Sequence, residues 1–152
     1  MELRGVREQT MQTKPPNQYA PLPLAYIGDA VYEVYVRTRV IAEHPDMAAH
    51  KLHVHTVKFV KAHAQSNSIH AMLEILTEDE TAVFKRGRNA KSATVPKNAD
   101  LTDYRYATGL ETLFGYLQIA GETERLDELM SFAYEHAADE RNSKQTANAV
   151  HK

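Results

Sequence analysis

The sequence predicts an all-α fold, and three observations carry that prediction. Apolar residues recur at helical spacing through several long stretches. No segment alternates apolar and polar residues as a half-buried strand does. Helix starts and stops are also punctuated. Pro21 and Pro23 precede the first apolar stretch, Thr77 and Glu80 have capping-box spacing, and Gly121 follows the longest apolar run.

Taken in order, residues 1–20 are polar, with Pro15, Pro16 and Asn17 near their end, and read as a flexible arm. Residues 22–43 form the first strong helix, nucleated at Pro21 or Pro23, because proline suits a first helical turn. His44-Pro45-Asp46 ends it, and Asp46 is placed to cap a second helix over 47–64. Ser66 or Asn67 caps a short third helix to about Leu76. Thr77 opens a fourth, to about Lys85. Residues 87–100, with Gly87, Asn89, Ser92, Pro96 and Asn98, read as a loop. Residues 101–120 form a long helix stopped by Gly121, and 123–137 a last one. From Ala138 the chain is polar and reads as frayed. The expected organisation is one folded domain over 21–137, between an arm (1–20) and a flexible tail (138–152).

Composition excludes more than it selects. A chain of 152 residues with 43% hydrophobic and 25% charged residues has material for one core. No apolar run approaches the ~18 residues that span a membrane. Cysteine is absent, which rules out disulfides and thiolate metal sites. With no signal-like N-terminus, the expected location is cytoplasmic, with no membrane partner. Net charge is −2, yet residues 85–99 carry Lys85, Arg86, Arg88, Lys91 and Lys97 with no acid among them. Residues 100–152 hold ten acids against five bases. A basic stretch on an acidic chain is a candidate anion site.

The strongest local anomaly is Asp29, preceded by Gly28 inside the first apolar helix. Glycine costs about 1 kcal/mol against alanine in a helix, and an unpaired buried carboxylate costs several. On a helical wheel Ile27, Ala30, Val31, Val34, Thr38 and Ile41 share one face. Asp29 lies almost opposite, with Ala25, Tyr32, Val36 and Val40. The helix thus carries two apolar faces and is expected to be buried nearly all round, with Asp29 on a second packing surface. Glu33 lies one turn on, about 40° away. In the 101–120 helix, Glu111 flanks a stripe of Tyr106, Leu110, Leu113, Phe114 and Leu117, near Ala107, Gly115 and Gln118. Two such helices would bring Asp29 and Glu111 together. Converging carboxylates need a cation, and oxygen donors favour Mg²⁺ or Mn²⁺. The wheels alone leave open the plainer reading, that each is a partnered boundary residue.

The histidines do not make a metal site. His53 and His55 point about 160° apart on a helix, so His50, His53 and His55 cannot converge. Lys51, Lys58 and Lys61 share one side of the second predicted helix, which fits either a nucleic-acid surface or an ordinary solvated face.

At these residues the sequence resembles a known family. Leu24-Ala25-Tyr26-Ile27-Gly28-Asp29-Ala30 is similar to the signature helix of the ribonuclease III catalytic domain. Lys85-Arg86-Gly87-Arg88-Asn89-Ala90-Lys91-Ser92, Pro96-Lys97-Asn98, Tyr104-Arg105-Tyr106-Ala107-Thr108 and Glu111 through Gly115-Tyr116-Leu117 resemble one branch of it, mini-ribonuclease III. The resemblance covers residues 20–137. It implies an all-α endonuclease that cuts double-stranded RNA as a two-fold homodimer with Mg²⁺, or Mn²⁺ in its place. It implies that Asp29 and Glu111 are catalytic and metal-binding. It implies 5′-phosphate products and, as substrate, precursor of large-subunit (23S) ribosomal RNA, and it leaves open a ribosomal-protein partner. The larger family has carboxylates where this chain has Ala25 and Thr108. It also carries a double-stranded-RNA-binding domain, which the residues after the last predicted helix are too few and too polar to form. RNA must then be gripped by the catalytic domain. Lys85, Arg86, Arg88, Asn89, Lys91 and Lys97 are the candidates for phosphate contact, with Gly87, Ser92, Thr94 and Asn98 offering donors or close approach. Ala25 and Thr108 keep one alternative, an inactive ribosome-associated RNA binder. A carboxylate-bridged metalloprotein unrelated to RNA lacks the Glu-x-x-His pairs it needs.

Overall fold

Pro21 occupies the first turn of α1 (Pro21–Glu43), where a missing N–H costs nothing. The helices that follow are α2 (Ala49–Val60), α3 (Ala62–Met72), α4 (Glu78–Arg88), α5 (Leu101–Ala120) and α6 (Thr123–Val150). Short 3₁₀ turns lie at Pro16–Gln18 and Leu73–Ile75. This computed structural model describes residues 14–91, 94–97 and 99–150, with the side chain of Val150 excepted. Every regular element among them is helical.

Several predicted boundaries stand. Thr77 Oγ1 accepts the Glu80 N–H at 3.1 Å while the Thr77 N–H donates to Glu80 Oε1 at 2.9 Å, a complete capping box. Asp100 caps α5 by accepting the Asp103 N–H at 3.0 Å. Gly121 ends α5 in the left-handed region, φ 74°.

Others are corrected. Asp46 does not cap the second helix; the chain turns at 44–47, with Met47 N–H on the His44 carbonyl, and α2 starts at Ala49. The predicted 47–64 helix is two helices, broken at Lys61, whose ψ of 152° is extended. The break lets two faces be buried in different directions. Phe59 stacks on Tyr134 at 4.3 Å, while Ala64, Gln65 and Ser66 turn inward on α3. Ser66 and Asn67 therefore sit inside a helix and not at its cap. α4 continues through Gly87 to Arg88; Gly87 is not a stop but the point where Thr112 of α5 packs too closely for a Cβ. The last helix runs to Val150, past the Ala138 where the composition predicts fraying. Asn67 donates to Glu140 at 3.0 Å, and the Arg141 guanidinium lies 4.9 Å from the Phe59 ring centre. Tertiary contact thus carries the helix beyond its apolar stretch.

The core gathers Tyr32, Val36 and Val40 of α1, Phe59, Ile69, Met72 and Phe84, Leu110, Leu113, Phe114 and Leu117 of α5, and Leu129 and Tyr134 of α6. α1 and α5 form the most extensive helix pair. Only one of the two apolar faces of α1 is buried. Ala25, Tyr32, Val36 and Val40 face the core, whereas Tyr26, Val34 and Ile41 are 79%, 65% and 52% exposed. Burial all round is thus replaced, in a single chain, by one covered face and one open stripe.

Candidate active site

Two glycines set the α1–α5 crossing. A Cβ on Gly28 would collide with the Glu111 carbonyl, and one on Gly115 with the Leu24 carbonyl. The backbones meet there without side chains between them. Gly28 is thereby explained by packing, and its neighbour Asp29 is carried to the side of Glu111. A groove of about 410 Å³ opens at this point. α1 contributes Leu22, Ala25, Tyr26 and Asp29, and α5 contributes Tyr104, Ala107, Thr108 and Glu111. Ala62, the first residue of α3, closes one side.

Asp29 is exposed at this groove, a correction to its expected place on a packing surface. Glu111 is half-buried. Burial, then the charge of Asp29, pushes the Glu111 carboxyl up to about 8, against a hydrogen bond from Gln65 that acts the other way. The Asp29 carboxyl, though largely exposed, is also raised, first by its partial withdrawal from water at the groove wall and then by Glu33. Both shifts follow from like charges in a partly dry site. Among the described residues no Lys, Arg or His stands within ion-pair distance of either carboxylate. Glu33 itself is engaged by Arg37, which donates to it at 3.0 Å. No three His, Cys, Asp or Glu side chains among the described residues gather as a metal cluster. The groove offers two carboxylates, the Thr108 hydroxyl and small walls of Ala25, Ala62 and Ala107. That donor set fits a hard divalent cation that retains water ligands. Ala25 and Thr108, the two places where acids are missing, line this same groove.

Sequence reasoning missed Gln65. Its side chain is 2% exposed, and its Nε2 donates to the Val60 carbonyl at 2.7 Å. The amide also lies near enough to Glu111 to favour its carboxylate form, while Gln65 Oε1 is buried with no hydrogen-bond partner among the described residues. Gln65 thus links the broken end of α2 to the groove. Its neighbours Ala64 and Ser66 give it no distinguishing pattern; only recognition of the break at Lys61 would have exposed it.

The basic residues divide into two kinds. Lys85, Lys91 and Lys97 are exposed. Arg86 and Arg88 lie in the last turn of α4, where cations favour the helix dipole. Arg86 donates to the Tyr19 carbonyl at 2.9 Å and so holds the segment entering α1. Arg88 lies over the Phe84 and Tyr106 rings and donates to Asn89 at 3.1 Å. Among the described residues the two arginines are tied into the fold, and the three lysines are not. Ser92 and Asn98 lie outside the described residues.

The histidines disperse. His55 packs edge-on to His44 at 4.7 Å, and His53 lines a separate recess with Arg37 and Ile41.

Comparisons with known proteins agree with this geometry. Residues 22–122 match the family model described as Ribonuclease III domain. The chain is 55% identical over 113 residues to a Mini-ribonuclease 3 of Clostridium tetani, covering 74% of this chain and 75% of that one. It is 47% identical over 114 residues to a Mini-ribonuclease 3 of Thermoanaerobacter sp., covering 75% and 80%. For one from Symbiobacterium thermophilum the figures are 44% over 123 residues, 81% and 94%. The crystal structure of protein FN1578 from Fusobacterium nucleatum has the same fold, with a TM-score of 0.72 at 24% identity over 81% of this chain and 98% of that one.

Proposed function

The chain belongs to the ribonuclease III family and is an endoribonuclease of double-stranded RNA, and from that premise we propose that Asp29 and Glu111 form its catalytic centre. The observation that carries this is the Gly28–Gly115 crossing, which sets two carboxylates in one groove with no Lys, Arg or His among the described residues within ion-pair distance of them.

Asp29 and Glu111 would hold Mg²⁺, with Mn²⁺ as a substitute. When bound, the ion supplies Lewis acidity toward the phosphate and a more acidic water for hydrolysis. The chain's own residues do the rest. Glu111 would release its proton to solvent on holding the ion. Gln65 holds the Glu111 carboxylate in place. Ala25, Ala62 and Ala107 leave room for a phosphodiester to enter. In-line attack by water gives 5′-phosphate and 3′-hydroxyl ends.

Duplex RNA presents two antiparallel strands, so two sites related by a two-fold axis would cut both. The open stripe of Tyr26, Val34 and Ile41 on α1 supports a homodimer, because an exposed apolar stripe of this kind on a soluble chain marks an interface. Lys85, Lys91 and Lys97 are the phosphate contacts of the basic segment, while Arg86, Arg88 and Asn89 shape it. By resemblance the substrate is precursor 23S ribosomal RNA in the cytoplasm.

The test is cleavage of a labelled RNA duplex with Mg²⁺ by the native protein, Asp29→Asn and Glu111→Gln. The expected result is cut duplex with the native protein alone. Cleavage retained by either variant overturns the assignment of that residue. Duplex binding without cleavage, equal in all three proteins, points to an RNA binder.

A further inference from the structure

A second cavity, of about 300 Å³, lies where α2, α3 and α6 meet. Lys58 and Lys61 line it from the end of α2, and Arg141 and Lys144 from α6. Among the described residues none of these four is in an ion pair. The Arg141 guanidinium is held over the Phe59 ring, and one of its nitrogens, Nη1, is buried without a hydrogen-bond partner. The acid in the wall, Glu140, is already taken by Asn67 at 3.0 Å and lies 3.5 Å from His136. Four cations against one carboxylate leave the cavity with a net positive field among the described residues.

Its position is as informative as its charge. Ala62 lines the Asp29–Glu111 groove, and the residues on either side of it, Lys61 and His63, line this cavity. The two spaces share the first turn of α3 as a common wall. That turn has no side-chain cap, so its free N–H groups add to the positive field. Asp103 accepts from His63 at 2.8 Å and ties the wall to the start of α5, next to the groove residue Tyr104. Arg141 and Lys144 stand beyond residue 122, where the family match ends, so the cavity is completed by the extension of α6.

We propose that this cavity binds a backbone phosphate of the same RNA duplex that is cut in the adjoining groove, an assignment that rests on the groove being the cleavage site. It gives the chain a phosphate contact on the α3 side of the groove, separate from the basic segment that follows α4. Such a contact fixes register along the strand and carries no base sequence information.

The experiment measures duplex binding by fluorescence anisotropy across a salt series, in a Glu111→Gln background so that the RNA stays intact. Added to that background, Lys61→Gln with Lys144→Gln is expected to raise Kd about tenfold near physiological salt and to reduce the slope of log K against log salt by about 0.9, the value for one phosphate contact. Lys61→Arg with Lys144→Arg is expected to keep both values near those of the parent. In a parallel arm, inorganic phosphate is titrated while the melting temperature is followed. An unchanged Kd and slope in the Gln variant, whether or not it loses a phosphate-induced rise in Tm, overturns the proposal; with that loss, the cavity takes small free anions. No duplex binding by the parent at low salt overturns the cleavage-site reading along with it. Binding by the parent that the Gln pair does not alter overturns the proposal alone.

Discussion

Glu80 and Glu111 are both glutamates withdrawn from solvent on neighbouring helices, and their surroundings are opposite. Glu80 accepts from the Thr77 backbone at 2.9 Å and from Arg125 at 2.9 and 2.8 Å. The Arg125 bond, more than the Thr77 contacts, holds its carboxyl below the usual range. Glu111 has an amide from Gln65 and a second carboxylate for company, and its carboxyl is pushed up to about 8. Burial is common to both. The difference is whether the chain supplies the neutralising charge. Where it does, the carboxylate is architecture. Where it leaves the task to something outside the chain, the carboxylate is a site.

The comparison breaks most sharply under substitution. Glu111→Gln should lower duplex cleavage by about a thousandfold or more, since losing the proposed cation ligand would remove several kcal/mol of transition-state stabilisation. It should leave the melting temperature unchanged or higher, because a neutral amide suits a site that resists charge. Arg125→Met should do the reverse. Stripping the partner from buried Glu80 should cost about 3 kcal/mol or more, while kcat of the folded fraction stays native. Parallel melting and single-turnover assays on both variants check the pair. A stability loss in Glu111→Gln that matches Arg125→Met would erase the distinction.

Gly28→Ala comes next. Its Cβ would meet the Glu111 carbonyl, so α1 and α5 must separate. The expected cost is about 3 kcal/mol, read as a fall in the denaturation midpoint. The fraction that folds should cleave poorly, because the same movement separates Asp29 from Glu111. Native cleavage by a folded Gly28→Ala protein would show that the crossing does not set the site.

Protonation sharpens the contrast without mutation of the site. The folded-state pKa of Glu111 lies above its unfolded value, so the native state keeps a proton that the unfolded chain releases. Stability of the metal-free protein should then fall as pH rises from about 4.5 toward about 8. Mg²⁺ should raise Tm more at pH 8 than at pH 5.5, since ionised Glu111 is the form that binds it. Glu80 works with the opposite sign, with a lowered pKa whose stabilisation is lost only in acid, below the ordinary carboxylate range. Thermal melts across this window, with Glu111→Gln as reference, separate the two. A wild-type profile parallel to that of Glu111→Gln would remove the proton from Glu111.

Much of this was legible in the sequence where the signal is local. The capping box at Thr77, the helix start at residue 101 and the stop at Gly121 depend on residues a few positions apart, and all three stand. The anomaly of Asp29 was legible because a carboxylate in an apolar helix conflicts with its neighbours. The break at Lys61 was not, since no glycine or proline marks it and only the competing burial of Phe59 and Gln65 produces it. The continuation of α6 was hidden for the same reason: its contacts come from Asn67 and Phe59, far away in sequence. The wheel found both apolar faces of α1 but could not tell which one the chain covers itself.

Gln65 is the smallest and most specific way to press the comparison, because it is what Glu111 has in place of an arginine. Its Nε2 is anchored on the Val60 carbonyl, a group left without a helical partner by the break at Lys61. The amide therefore reaches Glu111 from a fixed base, and it orients a carboxylate without neutralising it. A cation at that point, as at Glu80, would compete with the metal ion for the same oxygens. Gln65→Leu should reduce kcat by about tenfold or more, since a hydrogen bond to a charged group is worth about 1.5–3 kcal/mol. KM for duplex RNA should change little. The Mg²⁺ concentration for half-maximal stabilisation in a thermal melt should rise, a readout that does not depend on cleavage. Gln65→Lys should abolish that Mg²⁺ response and pull the Glu111 carboxyl down toward the range of Glu80. If Gln65→Lys instead keeps both the response and the cleavage rate, an amide and a cation are interchangeable beside Glu111, and the contrast between the two glutamates loses its chemical basis.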